Sequence, residues 1–229
     1  MLQQDDVGSG KIDLTLSRAQ TPAVDLDRDM MMRCIALAVR SGRDGEYPYG
    51  VVICREGEVI AESINRVAHE RDVTRHAEVV AISAAQKALG TVSLDDCTIY
   101  VSAEPCAYCS YAMRESRIAR VVYGLHSPHM GGVSKWNVLG DEGLCSKLPE
   151  VFDPPPEIVG GFMAAEVERA LLKSHPVMWG IIRKRGLFVA RAPNPMPRRQ
   201  GERASGSKLL RRLIASLRPL VFDRFGRGM

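Results

Sequence analysis

Two cysteines three positions apart, in Pro105-Cys106-Ala107-Tyr108-Cys109, and a histidine thirty residues upstream, in His76-Ala77-Glu78, constrain this chain more than any other feature. A Cys-x-x-Cys pair opening a helix favours thiolates, because unpaired amides and the helix dipole stabilise negative charge there. Two thiolates and one imidazole make a Zn²⁺ site with three protein ligands. The fourth position is left to water, the pattern of a catalytic rather than a structural zinc. His76 sits inside a helix predicted over residues 74–89, and Cys97 to Val101 between the two segments reads as a buried strand. The ligands can meet only if helix, strand and helix fold back on one another.

The rest of the chain supplies such a layering. Apolar residues at 30, 34, 37 and 38 predict a helix over 25–41 that stops at Gly42. Residues 50–54 and 58–61 read as strands joined at Glu56-Gly57, a hairpin. A helix over 106–116 and a strand over 118–123 follow. The Gly- and Pro-rich stretch 124–156 has no period, Ile158 and Val159 suit a short edge strand, and 163–173 has helical spacing. Alternating strands and helices predict an α/β domain over 25–188, between a loose lead-in (1–24) and a Pro/Arg-rich tail (189–229).

With 45% hydrophobic and 25% charged residues, and no apolar run near 20 residues, the chain is neither disordered nor membrane-spanning. The first twenty residues lack the apolar core of a secretory signal, which predicts a cytoplasmic protein with reduced thiols. The charge is divided unevenly. From Arg183 onward there are 13 basic residues against Glu202 and Asp223, a local +11, while residues 1–182 hold 18 basic and 25 acidic, or −7. Within the tail, residues 207–218 put Leu209, Leu210, Leu213, Ile214 and Leu217 on one face of a short basic amphipathic helix.

Other readings of the cysteine pair explain less. A thioredoxin-like redox pair leaves His76 and Glu78 without a role. A structural zinc module could recruit His126 and His129. The 16-residue gap from Cys109 to His126 and the His-x-x-His spacing both miss the finger pattern.

His-x-Glu together with Pro-Cys-x-x-Cys is the signature of the zinc nucleobase deaminases, and the chain resembles the cytidine and deoxycytidylate deaminase superfamily over roughly 25–187. Tyr47-Pro-Tyr-Gly-Val-Val-Ile-Cys, Glu58-Val-Ile-Ala-Glu, Asn65-Arg66-Val67, and Leu94 to Tyr100 running into Glu104-Pro105-Cys106 resemble bacterial guanine deaminases. Ser110 to Gly124 and the small-residue loop at Gly131-Gly132 are similar to bacterial tRNA adenosine deaminase. The resemblance implies a three-layer α/β/α sandwich around a mixed five-stranded sheet, assembled as a homodimer. It also implies Zn²⁺ held by His76, Cys106 and Cys109, Glu78 as proton carrier, and Asn65 hydrogen-bonded to substrate; Asn65 capping the turn after the hairpin is the plainer alternative.

Three departures bear on substrate. Ala107-Tyr108 replaces smaller residues expected between the cysteines, so Tyr108 narrows or lines the pocket. Trp136, in the long 124–156 loop, is a candidate base-stacking residue. His175-Pro176-Val177-Met178-Trp179 resembles a C-terminal Pro-x-x-Trp whose aromatic closes the site, with a helix anchor as the alternative role for Trp179. The expected activity is hydrolytic deamination of a nucleobase or nucleoside, a guanine-type purine first, with adenosine in tRNA or cytosine as alternatives. A zinc-containing binding protein is the non-enzyme alternative, and the presence of Glu78 weighs against it. The basic tail is a candidate RNA contact, though it equally suits an anionic membrane surface, a partner's groove or the acidic body itself.

Overall fold

The computed structural model describes residues 23–192. The lead-in and the tail beyond Ala192, with its amphipathic segment, lie outside the described residues. Five strands form one mixed sheet in the order β2-β1-β3-β4-β5: β1 (Gly50–Arg55), β2 (Glu58–Ile64), β3 (Cys97–Ala103), β4 (Arg120–Leu125) and β5 (Glu157–Gly160). β1 runs antiparallel to both β2 and β3, whereas β3, β4 and β5 are parallel. The β1–β2 turn is made by Glu56 and Gly57 at φ 50° and 82°. Two left-handed residues in succession match the twist of the strands they join.

Burial follows sheet position. The central strands β1, β3 and β4 are buried on both faces and read as near-continuous apolar runs, while the edge strands β2 and β5 keep exposed positions. On one face Val52, Cys54, Tyr100 and Val122 pack with Met31, Cys34 and Ala38 of α1 (Ala23–Arg43) and with Val167 and Leu171 of α6 (Ala164–Ser174). Trp179 of α7 (Pro176–Lys184) joins the same cluster. On the other face Val51, Ile53, Ile99 and Val121 pack with Ala81, Ile82 and Ala85 of α3 (Ala77–Leu89) and Met113 of α4 (Ala107–Glu115). Burying each large aliphatic side chain contributes about 1.5–3 kcal/mol, so the two cores together fix the sheet between its helical layers. The three-layer sandwich with a mixed five-stranded sheet is the architecture that the resemblance implied.

Polar ties join the layers at the sheet end remote from the cysteines. Asp27 of α1 accepts both guanidinium arms of Arg120 (2.7 and 2.8 Å) and the Tyr100 hydroxyl (2.7 Å). Two short helices, α2 (Val67–Glu70) and α5 (Glu142–Lys147), occupy stretches to which the sequence pattern assigns no element. No described helix is long and apolar enough to cross a membrane.

Candidate metal centre

His76 begins α3 rather than lying inside it. It is the N-cap residue, at φ −63° and ψ 146°, and Cys106 stands likewise before α4 at φ −67° and ψ 169°. Neither uses its side chain to cap its own helix, so both turn toward the space between the two helix starts. There His76 Nδ1 lies 3.7 Å from Cys106 Sγ and 3.3 Å from Cys109 Sγ, and the two sulfurs are 3.6 Å apart.

These separations fit zinc. A tetrahedral ion with Zn–S near 2.3 Å and Zn–N near 2.05 Å sets its ligands about 3.75 Å (S to S) and about 3.5 Å (S to N) apart. Among the described residues His76, Cys106 and Cys109 are the one cluster of such ligands whose donor atoms lie within 4.8 Å of one another. His126, the alternative partner for the cysteines, is elsewhere: its ring faces the Tyr123 hydroxyl at 3.3 Å.

The site is charged in a directed way. The hydrogen bond with Cys109 brings Cys106 down to about 4 against the opposing effect of burial, with His76 adding to the fall, and so favours its thiolate. Cys109 is pushed up by the same shared hydrogen bond and by burial. His76 is raised by its hydrogen bond to Cys106. Glu78, in the first turn of α3 and only 7% exposed, is pushed up to about 7 by burial, with the Cys106 charge adding to it. A carboxyl poised near neutrality both accepts and returns a proton.

The remaining predicted residues are placed as follows. Asn65 is buried and donates Nδ2 to Glu46 Oε2 at 2.9 Å. It is Glu46, not Asn65, that secures the turn after the hairpin, by accepting the Ala68 and His69 amides at 3.1 and 2.7 Å. The bond from Arg66 N to Arg75 O (3.0 Å) closes the intervening loop and brings the segments of Asn65 and His76 together. Tyr108 is 46% exposed and sets its ring against His76 at right angles, centroids 5.6 Å apart. Trp136 is 59% exposed. Trp179, by contrast, is 2% exposed and stacks on Phe188 at 6.3 Å. Phe188 meets Tyr49 edge-on at 5.9 Å, and Tyr49 is raised by burial and by the charges of Glu78 and the cysteines. In this arrangement Trp179 is a core residue, linked to the site through that aromatic row.

Besides Glu46, sequence reasoning missed the roles of two more buried residues of charged type that shape the site. Glu104, just before Pro105-Cys106, accepts the amides of Ser127 (2.6 Å), Val133 (3.0 Å) and Ser134 (2.6 Å) and the Ser134 hydroxyl (2.6 Å). Arg114, at the far end of α4, donates to the carbonyls of Val138 (3.3 Å), Leu139 (3.0 Å), Asp141 (2.9 Å) and Asp153 (3.0 Å). Between them they lay residues 126–153 along α4. Gly131 pairs with Cys106 across a β-bridge, and Gly132 N donates to Pro105 O at 2.8 Å. A Cβ on Gly131 would fall 2.1 Å from Glu104 Oε1, and one on Gly132 1.9 Å from Ser110 Oγ. The visible signals were a glutamate at the end of an apolar strand, an arginine on the inward side of a helix, and the glycine pair.

Residues 24–125 match the family model for the cytidine and deoxycytidylate deaminase zinc-binding region. A tRNA-specific adenosine deaminase from Aquifex aeolicus is 40% identical over 118 residues, which are 51% of this chain and 78% of that protein. The chain belongs to the zinc-dependent cytidine and deoxycytidylate deaminase family. Guanine deaminase from Bacillus subtilis is 44% identical over 96 residues, 41% of this chain and 60% of that protein. A solved structure from a study of A-to-I editing by tRNA:A34 deaminases superposes with a TM-score of 0.57 at 31% identity, covering 63% of this chain and 99% of that one. The relatives are hydrolases acting on the C–N bonds of nucleobases or nucleosides, and the zinc-type ligand cluster of this family is present in the fold.

Proposed function

We propose that the protein hydrolytically deaminates adenosine to inosine within tRNA. The observation that carries the deaminase chemistry is the ligand cluster of His76, Cys106 and Cys109 with the buried Glu78 beside it. When bound, zinc supplies a water whose pKa is lowered to about 7, available as nucleophile. Glu78 takes a proton from the attacking water and passes it to ring nitrogen N1 of the purine as the oxygen adds to C6. Glu78 then carries the second proton to the amino group, which leaves as ammonia, and C6 becomes a carbonyl. Glu46 Oε2 accepts from the amino side of the Asn65 amide. That leaves the Asn65 carbonyl to receive a donor from the substrate, while Tyr108 borders the base.

The choice of tRNA adenosine over a free purine rests on the coverage of the relatives. The tRNA-specific adenosine deaminase of Aquifex aeolicus is matched over 78% of its own length and the solved tRNA:A34 deaminase chain over 99%, guanine deaminase of Bacillus subtilis over 60%. Trp179 packs in the core, in line with the helix-anchor role open to it, so no site-closing aromatic is invoked for the base. Free guanine remains the second reading because the 96-residue match is the more identical one.

An ammonia-release assay over tRNA, adenosine, guanine, guanosine, cytosine and cytidine tests the proposal. Turnover of tRNA with inosine formed is expected, and turnover of guanine alone replaces the reading. Glu78→Gln is expected to keep its zinc and lose at least about a hundredfold in rate; undiminished turnover in that variant removes Glu78 from the mechanism. Truncation after Ala192 tests the basic tail as an RNA contact while keeping the Val189–His126 pairing (2.9 Å in both directions) intact.

A further inference from the structure

We infer that Lys135 and Trp136 form a docking station for a nucleotide flanking the one deaminated, Trp136 stacking on its base and Lys135 meeting its phosphate. The inference rests on the RNA reading above and deepens it. Trp136 is 59% exposed, whereas Trp179, the other tryptophan, is in the core. A large aromatic left in water stands out because burying it would be favourable. Trp136 is also held in place. Its amide and that of Lys135 both donate to Gly131 O at 3.1 Å. The two preceding amides, of Val133 and Ser134, end on the buried Glu104. Gly131 in turn bridges to the metal ligand Cys106. The main chain that carries the indole is thus tied to the segment of the reacting centre, so little backbone ordering is left to do on binding.

Its neighbour specifies the occupant. Lys135 Nζ lies 5.7 Å from the centre of the indole ring. An exposed aromatic with a cation beside it is the combination that tracks single-stranded nucleic acid, one part for the base and the other for the backbone. A protein interface of comparable exposure would be depleted in lysine at its centre. Tyr108, 46% exposed on the ligand-bearing helix, is a second exposed aromatic beside the centre. A substrate longer than one nucleotide extends beyond the metal cluster and gives Trp136 a partner, whereas a free base held at the metal leaves the indole unused.

Steady-state kinetics on an RNA stem-loop with adenosine in its loop, using the full chain, test this. Trp136→Ala is expected to raise KM about 5- to 150-fold while kcat at saturating RNA changes by less than about twofold, and Trp136→Phe restores most of the loss. Lys135→Ala is expected to flatten the dependence of log KM on log salt by about 0.7. Zinc content and Tm of each variant report on the fold. A KM within twofold of the parent in Trp136→Ala overturns the station and leaves the deaminase reading standing. Failure of the parent to turn over any RNA overturns the station together with the RNA reading on which it rests. If Trp136→Ala instead lowers kcat and shifts the protein to a smaller mass in light scattering, the indole belongs to a contact between copies and the station is refuted.

Discussion

Replacing Arg114 by methionine, an unbranched side chain that can fill most of the same space, should detach the long loop from the metal-bearing helix. The guanidinium is buried and donates four hydrogen bonds of 2.9–3.3 Å, all to backbone carbonyls between residues 138 and 153. A hydrogen bond to a charged group contributes about 1.5–3 kcal/mol, so the gross loss is about 6–12 kcal/mol. The net loss must be smaller, because freed carbonyls regain water as the loop lifts and the cation no longer has to be desolvated. About 3–5 kcal/mol remains, in line with removing one partner of a buried charged arrangement. In urea, with a slope of about 2.5 kcal/mol/M, the unfolding midpoint should fall by about 1.2–2 M. Arg114→Lys, which keeps the charge but not the planar fork, should fall in between. A midpoint drop below about 0.4 M for the methionine variant, with the slope unchanged, would show that the four bonds do not hold the loop.

Two further outcomes follow from the same geometry. Gly132→Ala places a methyl group 1.9 Å from Ser110 Oγ and 2.5 Å from its Cβ, and should cost about 1–3 kcal/mol with a matching loss of zinc affinity; a parental Tm and zinc titration would contradict the packing. At Asp27, burial acting alone would raise the carboxyl, but the hydrogen bonds from Arg120 and Tyr100 outweigh it and hold the pKa below its usual value. Its folded pKa is therefore below the unfolded one, near 3.9, so its contribution is complete above about pH 4 and is lost as pH falls through the folded value. The stability gap between parent and Asp27→Asn, about 1.5–3 kcal/mol at pH 7, should close in acid; a gap that stays constant down to pH 2 would argue against the ion pair as its source.

The sequence carried the scaffold well where burial set the pattern. The continuous apolar runs of β1, β3 and β4 and the helical spacing of α1 and α6 are local consequences of facing a core, and both were readable. Position 76 was less so. Thr74 looks like a helix start, yet Asp72 binds the Thr74 amide and hydroxyl (2.8 and 2.7 Å) in a turn of its own. His76 then keeps an extended ψ that frees its ring for the cysteines. Propensity sees no difference between an N-cap and a first turn when tertiary contacts make the choice. Trp179 had two roles open in the sequence for a related reason, since a Pro-x-x-Trp pattern at the start of α7 serves equally to anchor a helix in the core, where this indole packs. Glu46, Glu104 and Arg114 act on backbone groups 22 to 39 positions away, and no periodicity encodes such partners.

The way Glu104 and Arg114 hold their loop has an evolutionary consequence. Of the eight hydrogen bonds they make to residues 127–153, seven end on main-chain amides or carbonyls, and only the Ser134 hydroxyl is a side chain. Main-chain partners are common to nearly every residue type, so the course of the loop survives replacement of most of its side chains. Positions such as 130, 135 and 136 can therefore drift, and specificity can be retuned by single substitutions, while the metal ligands and the sheet beneath them stay where they are.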